Sequence, residues 1–240
     1  MNANTKGTKR IVLVHADKGG CGKSTVSRAL IDHFIRFNVS VDAYDSDKRN
    51  PDLSRFYDKK VPITLIDLSS KTAFDTLLDK LSTRQNNALV DLAAGAGDAL
   101  NALVKGDIQL AGALQDLGAQ LTIVFVLSRS RSSLAALRQA LTDFESVPAN
   151  WIIVRNTYFG ETEKFVRFAN SNTRAQAQAR GAIEIDMPEL LDDLFDELDQ
   201  ASLPFCDAVQ YDKLTFTNRR RIITWLEKFD AEINKAKAYL

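Results

Sequence analysis

Short apolar runs punctuate this chain, and helical periodicity fills most of the intervals between them. Residues 10–15 contain Ile11-Val12-Leu13-Val14, a continuous apolar run that suits a parallel strand buried on both faces. Comparable runs predict strands over 39–44, 88–92, 121–127, 151–154 and 182–186, with a weaker extra strand over 61–68. The run 121–127 is the clearest and reads as central. Val26, Leu30, Phe34 and Phe37 recur at spacings of three and four and predict a helix over 26–37. Further helices are expected over 71–82, over 98–117 with a break near Gly106, and over 130–145. A polar helix over 161–180, an acidic helix over 189–199 and a closing helix over 215–239 complete the set. Strands alternating with helices imply a three-layer α/β fold: a mostly parallel twisted sheet with helices on both faces and right-handed crossovers.

Composition adds bounds rather than direction. The 240 residues fit one α/β domain over 1–240, with the first nine expected to be flexible. Hydrophobic residues make up 45% and charged residues 26%, ordinary for a soluble globular domain. Lys+Arg and Asp+Glu are balanced at 31 each, so any affinity for nucleic acid must come from a local patch. The polar N-terminus does not read as a signal peptide, and no apolar stretch is long enough to span a bilayer. Cys21 and Cys206 cannot form a disulfide scaffold, and a reduced, cytoplasmic protein is the simple expectation. Both cysteines, His15, His33, Trp151 and Trp225 read as packed or satisfied side chains.

The chemistry concentrates between the first strand and the first helix. There the chain reads Ala16-Asp17-Lys18-Gly19-Gly20-Cys21-Gly22-Lys23-Ser24-Thr25. Strand, glycine-rich loop and helix form the setting of a phosphate-binding loop. Glycines let backbone N–H groups approach an anion, and the helix N-terminus adds partial positive charge at the same place. Lys23 supplies a full charge to the outer phosphates, and the Ser24 hydroxyl is placed to ligate Mg²⁺. The usual pattern asks for glycine five residues before Gly22, where this chain has Asp17.

The string Lys-Gly-Gly-x-Gly-Lys-Ser-Thr over 18–25 resembles the deviant phosphate loop of the ParA/MinD family of dimerising ATPases, relatives of nitrogenase iron protein. The resemblance implies that Gly19, Gly20, Cys21, Gly22, Lys23, Ser24 and Thr25 hold ATP, and that Lys18 reaches the partner subunit's nucleotide in a homodimer. Further matches follow in chain order. Asp45-x-Asp47 closes the second strand, and the resemblance gives Asp47 the attacking water and Asp52 a Mg²⁺-bound water. Asp91, in Asp91-Leu92-Ala93-Ala94-Gly95, takes the place of the acid that holds Mg²⁺; the family's proline after it is absent here. Asn156 and Pro188 are expected at the adenine. The guanine motif Asn-Lys-x-Asp is missing, which favours ATP over GTP.

Relatives use such dimers on DNA, on membranes or with protein partners. Arg219, Arg220 and Arg221, at the head of the last helix, are one candidate DNA contact. Arg129, Arg131 and Arg138 form a second cationic stretch, and Lys164, Arg167, Arg174 and Arg180 a third. A DNA-binding adaptor or relaxosome-type protein is the expected partner, with non-specific DNA as another. The apolar stripe of the last helix could resemble a membrane-targeting tail, but its interspersed acids favour packing on the core. The expected role is a molecular switch in plasmid partitioning, positioning or conjugative transfer. A MinD-like membrane-surface regulator and a small-molecule kinase with the same loop stand as alternatives.

Overall fold

The computed structural model describes residues 9–16, 19–48, 50–68, 70, 72–83 and 86–240. The apolar runs become β1 (Lys9–His15), β2 (Val41–Asp45), β3 (Ile63–Leu65), β4 (Asn87–Asp91), β5 (Ala119–Leu127), β6 (Ala149–Asn156) and β7 (Ile183–Met187). All pair in parallel, in the order β3-β2-β4-β1-β5-β6-β7. The helices are α1 (Lys23–Arg36), α2 (Asp52–Tyr57), α3 (Asp75–Thr83), α4 (Gly97–Lys105), α5 (Leu110–Leu117) and α6 (Arg131–Asp143). They continue with α7 (Val166–Ala169), α8 (Asn172–Ala179), α9 (Asp192–Gln200), α10 (Phe205–Ala208) and α11 (Phe216–Lys235).

Successive strand residues point to opposite faces, so each central strand feeds two cores. Val12 and Val14 join α1, α2, α9, α10 and α11 on one face. Ile11 and Leu13 join α3 to α8 on the other. This is the three-layer architecture that the run-and-period pattern implies. The chain reverses direction across the sheet at β1, which lies between β4 and β5; such switch points open a crevice at the strands' carboxyl ends. Register places Val14 and Asp45 on either side of Asp91, so the phosphate-loop strand and two acids reach one edge at one level.

Several expectations change. The helix expected over 161–180 is a 3-10 turn over Thr162–Lys164, then α7 and α8. Ser171 interrupts it: its hydroxyl accepts from Arg174 N at 3.1 Å and starts α8 afresh. Only Ile63–Leu65 of the segment 61–68 pairs as strand. The turn over 45–52 runs directly into α2, because Asp45 Oδ2 accepts the Leu53 amide at 3.0 Å. The break near Gly106 is real; a β-carbon there would meet Ala102 O at 2.3 Å. Lys9 belongs to β1 rather than to a flexible end, and residues 1–8 lie outside the described residues.

The last helix packs as its acids suggested. Ile222, Trp225, Leu226, Phe229 and Ile233 are buried against the sheet. Among the described residues no helix is long and apolar enough to cross a membrane.

Candidate nucleotide site

Gly20 and Gly22 have φ of 79° and 91°, backbone that L side chains rarely adopt, and Gly22 caps the N-terminus of α1. Lys23 is the first residue of α1 and is largely buried, with Ser24 and Thr25 beside it in a first turn free of acids. The first turn therefore presents amides that have no acceptor within the helix, the helix dipole and an ammonium group together, a combination suited to an anion. Asp17 and Lys18 lie outside the described residues, as does Arg49.

A cleft of about 420 Å³ opens over this turn. Its lining brings together Gly19, Gly20, Gly22, Lys23, Ser24 and Thr25 with Asp47, Asp52 and Asp91, residues spread over three loops. Asp91 is 4% exposed, and its Oδ1 is buried with no hydrogen-bond partner. Burial and the neighbouring Asp45 carboxylate push its pKa up to about 7, against the hydroxyls of Ser24 and Ser27 and the charge of Lys23. An orphaned acidic oxygen facing a hydroxyl across a phosphate cradle fits a hard cation. No three His, Cys, Asp or Glu side chains gather on one point among the described residues, so such a cation would take its remaining ligands from phosphate and water.

Asp45 is not at the cleft. It is 1% exposed, and its two oxygens accept the amides of Asp47 and Leu53 at 3.0 Å each. Burial raises its pKa to about 6. Asp45 thereby shapes the turn that carries Asp47 to the cleft, where Asp47 Oδ1 accepts the Asn50 amide at 3.1 Å. Asp52 also lines the cleft, with its carboxylate held by Asn50 Nδ2 at 3.2 Å and by Arg55 at 3.4 Å. Ser46 belongs to no sequence motif, yet it joins two loops of the site. Its hydroxyl donates to Asp91 O at 2.9 Å and accepts Ala93 N at 2.6 Å, stitching the loop after β2 to the loop after β4.

A second cleft, of about 450 Å³, lies on the other side of the loop. Asn156 and Pro188 both line it, with Gly20, Gly22, Thr25 and Trp225. Asn156 Nδ2 donates to Cys21 O at 3.0 Å, and its Oδ1 accepts Tyr158 N at 3.2 Å. The side chain thus braces the phosphate loop as well as facing the cleft. Trp225 is more than packing, since its Nε1 donates to Pro188 O at 2.8 Å and fixes the far wall.

The three basic stretches separate once their partners are known. Arg129 donates to Phe159 O and Lys164 O, Arg174 pairs with Glu184, and Arg180 donates to Leu141 O. Arg219 and Arg220 make no such contact, and Arg221 donates to Asn218 Oδ1 at 2.7 Å. Trp225 touches the end of β7 and Tyr239 Oη donates to Gly181 O before its start, so α11 runs antiparallel to β7. Its head, with Arg219–Arg221 and the 71%-exposed Phe216, therefore projects at the sheet edge that carries the clefts.

No family model matches the chain. Protein MobD of Acidithiobacillus ferrooxidans is 28% identical over 218 residues, covering 90% of this chain and 93% of that protein. Among solved structures, the fold is similar to the septum site-determining protein MinD of Pyrococcus horikoshii complexed with Mg-ADP. The TM-score is 0.53 at 16% identity, over 92% of this chain and 96% of that one. A plasmid-partition-type protein of Borrelia burgdorferi bound to AMPPNP gives a TM-score of 0.52 at 17% identity, over 93% and 98%. MinD of Aquifex aeolicus gives 0.50 at 18%, over 93% and 97%. The fold is thus the one shared by MinD and plasmid-partition-type proteins, as the loop resemblance implied.

Proposed function

We propose that the chain is a single-domain ATPase that dimerises with ATP and acts as a switch in positioning, partitioning or mobilising plasmid DNA. The observation that carries this reading is the first turn of α1, where Lys23, Ser24 and Thr25 face Asp47 and Asp91 across one cleft and adjoin a second, base-sized cleft. Mg-ADP on MinD and AMPPNP on the partition-type protein, both of similar fold, support ATP and Mg²⁺ as ligands. The likeness to MobD supports a setting in plasmid mobilisation.

In this reading the loop amides from Gly19 to Gly22 and the Lys23 ammonium hold the phosphates. Asn156 and Pro188 bound the base. Asp47 orients the attacking water. Ser24 and Asp91, with Asp52 through water, would hold Mg²⁺, which supplies charge neutralisation at the phosphates when bound. Catalysis is then positional and electrostatic. Lys18 acts in the partner's site much as a trans arginine finger does, a class of contribution on the order of 10³-fold in rate or more. Arg219–Arg221 are the proposed DNA contact, and a DNA-binding adaptor or relaxosome-type protein the proposed stimulating partner.

The test is the protein's mass in solution with ADP and with AMPPNP, alongside phosphate release and DNA retention. A dimer with AMPPNP alone, lost in Lys18→Ala together with hydrolysis while nucleotide binding persists, is expected. Monomers in every nucleotide state, or normal dimerisation and hydrolysis by Lys18→Ala, overturn the switch reading.

A further inference from the structure

Arg28 stands one turn below Thr25 on α1 and lines the phosphate-side cleft, yet its side chain is 2% exposed. Its guanidinium stacks 3.4 Å from the centre of the Phe56 ring, with Phe205 at 4.8 Å and Phe195 at 5.4 Å. Nε and Nη2 find no acceptor. Its ion-pair partner is Asp199 on α9, at 4.0 Å. Arg55 on α2 grips the same carboxylate with both terminal nitrogens and also reaches Asp52 at 3.4 Å. Two cations and two anions therefore link α1, α2 and the last turn of α9.

α9 spans both clefts. Phe195 lines each of them, Asp192 and Asp196 line the base side, and Asp199 lines the phosphate side. Only Leu194 and Leu198 anchor the helix fully in the core. At its other flank Glu197 accepts from Asn218 Nδ2 at 3.3 Å, beside the free arginines of α11. We propose that Arg28 and Asp199 are positioning residues that clasp α9 across the nucleotide cleft, so that the loop carrying Asp47 and the wall of the base cleft move as one unit. The proposal rests on the nucleotide reading above for what the clasp serves, but the clasp itself is a property of the free protein.

The physical argument turns on the buried charge. Arg28 is taken out of water and its pKa is lowered by desolvation, so it tolerates burial through the aromatic rings and the nearby acids. Without the Asp199 charge, the Arg28 guanidinium keeps only the rings and the charge of Asp52, and Arg55 loses the carboxylate it grips with both terminal nitrogens. α9 then loses its electrostatic hold at the end opposite its N-terminus. A partly exposed carboxylate also makes this hold sensitive to salt.

Amide hydrogen exchange over 192–200 in the nucleotide-free protein tests the clasp, with dissociation of a fluorescent AMPPNP analogue as a second readout. Asp199→Asn keeps the shape and removes the charge at a partly exposed position, and the sheet amides report whether the fold is retained. The substitution is expected to speed exchange over 192–200 about tenfold with the sheet amides unchanged, and to speed analogue release by a similar factor. Asp199→Glu is expected to retain protection. Added salt should loosen 192–200 in the parent but not in Asp199→Asn. Unaltered exchange over 192–200 in Asp199→Asn, or equal salt dependence in both proteins, overturns the clasp. Failure of the parent to bind the analogue overturns the nucleotide reading and leaves the exchange arm to judge the clasp by itself.

Discussion

Burial raises the pKa of three carboxyls in and behind the site, Asp45, Asp52 and Asp91. Asp91 and Asp45 have folded-state pKa values raised to about 7 and about 6, mainly by burial. Between the unfolded value and the folded one, the native state holds the proton that the unfolded state has lost. Ionisation therefore costs stability as pH rises through roughly 4 to 7, on the order of a few kcal/mol for Asp91. Asp91→Asn should accordingly stabilise the free protein more at pH 8 than at pH 5, read as urea midpoints; an equal gain at both would contradict it. Gly22 is the second sensitive residue. Its left-handed φ and the 2.3 Å approach of Asn156 Nδ2 to a notional β-carbon leave no room for a side chain. Gly22→Ala should lose nucleotide binding and about 1–3 kcal/mol of stability, measured by calorimetry and thermal melts. At this scale the strand-terminal Asp91 and the Lys23-Ser24-Thr25 turn were legible, because short-range order places them. The partners of Ser46, Arg28 and Asn156 were not: Asn156 bonds Cys21, 135 residues away in sequence.

Helices on the α1 face are joined by charge as well as by apolar packing. Arg36 on α1 donates to Asp32 at 2.8 Å and pairs through both terminal nitrogens with Asp230 on α11. Asp32 is fully buried and also accepts the Cys206 amide at 2.7 Å, which brings in α10. His33 meets the same Asp230 at 2.7 Å, a satisfied histidine as its position on the helix suggested. Arg36→Met would leave Asp32 and Asp230 without their main counter-charge and should cost about 3–5 kcal/mol, visible as a lower urea midpoint with an unchanged slope. The pairs Arg36–Asp230 and Lys60–Asp207 join positions far apart in the chain, so no local pattern announces them. The broken 161–180 helix has a local cause that was open to view, since Ser171 is a good N-cap in the middle of an otherwise helical composition.

For the whole molecule, zero formal net charge means that no general field draws nucleic acid to the surface. If the head of α11 is the DNA contact, the double variant Arg219→Glu/Arg220→Glu should abolish retention of DNA by the AMPPNP-bound protein without changing its dimerisation. Binding by the parent should weaken steeply with salt, as counterion release requires, in a filter or mobility assay. Retention unaffected by the substitutions would move the contact to Arg131 and Arg138, on exposed positions of α6. The buried stripe of α11 predicts that the protein does not pellet with liposomes.

The sequence by itself determined the alternation of strand and helix, the parallel sheet and the phosphate-loop turn. Each of these follows from side-chain periodicity, β-run length and the backbone freedom of a few glycines, all of them local. Tertiary structure decided the strand order, which sets β1 between β4 and β5 and so brings Asp91 to the loop while keeping Asp45 behind it. It also decided which arginines are spent on partners and which remain free, and it placed α9 across both clefts. These outcomes depend on contacts between distant segments, whose energies no window along the chain contains.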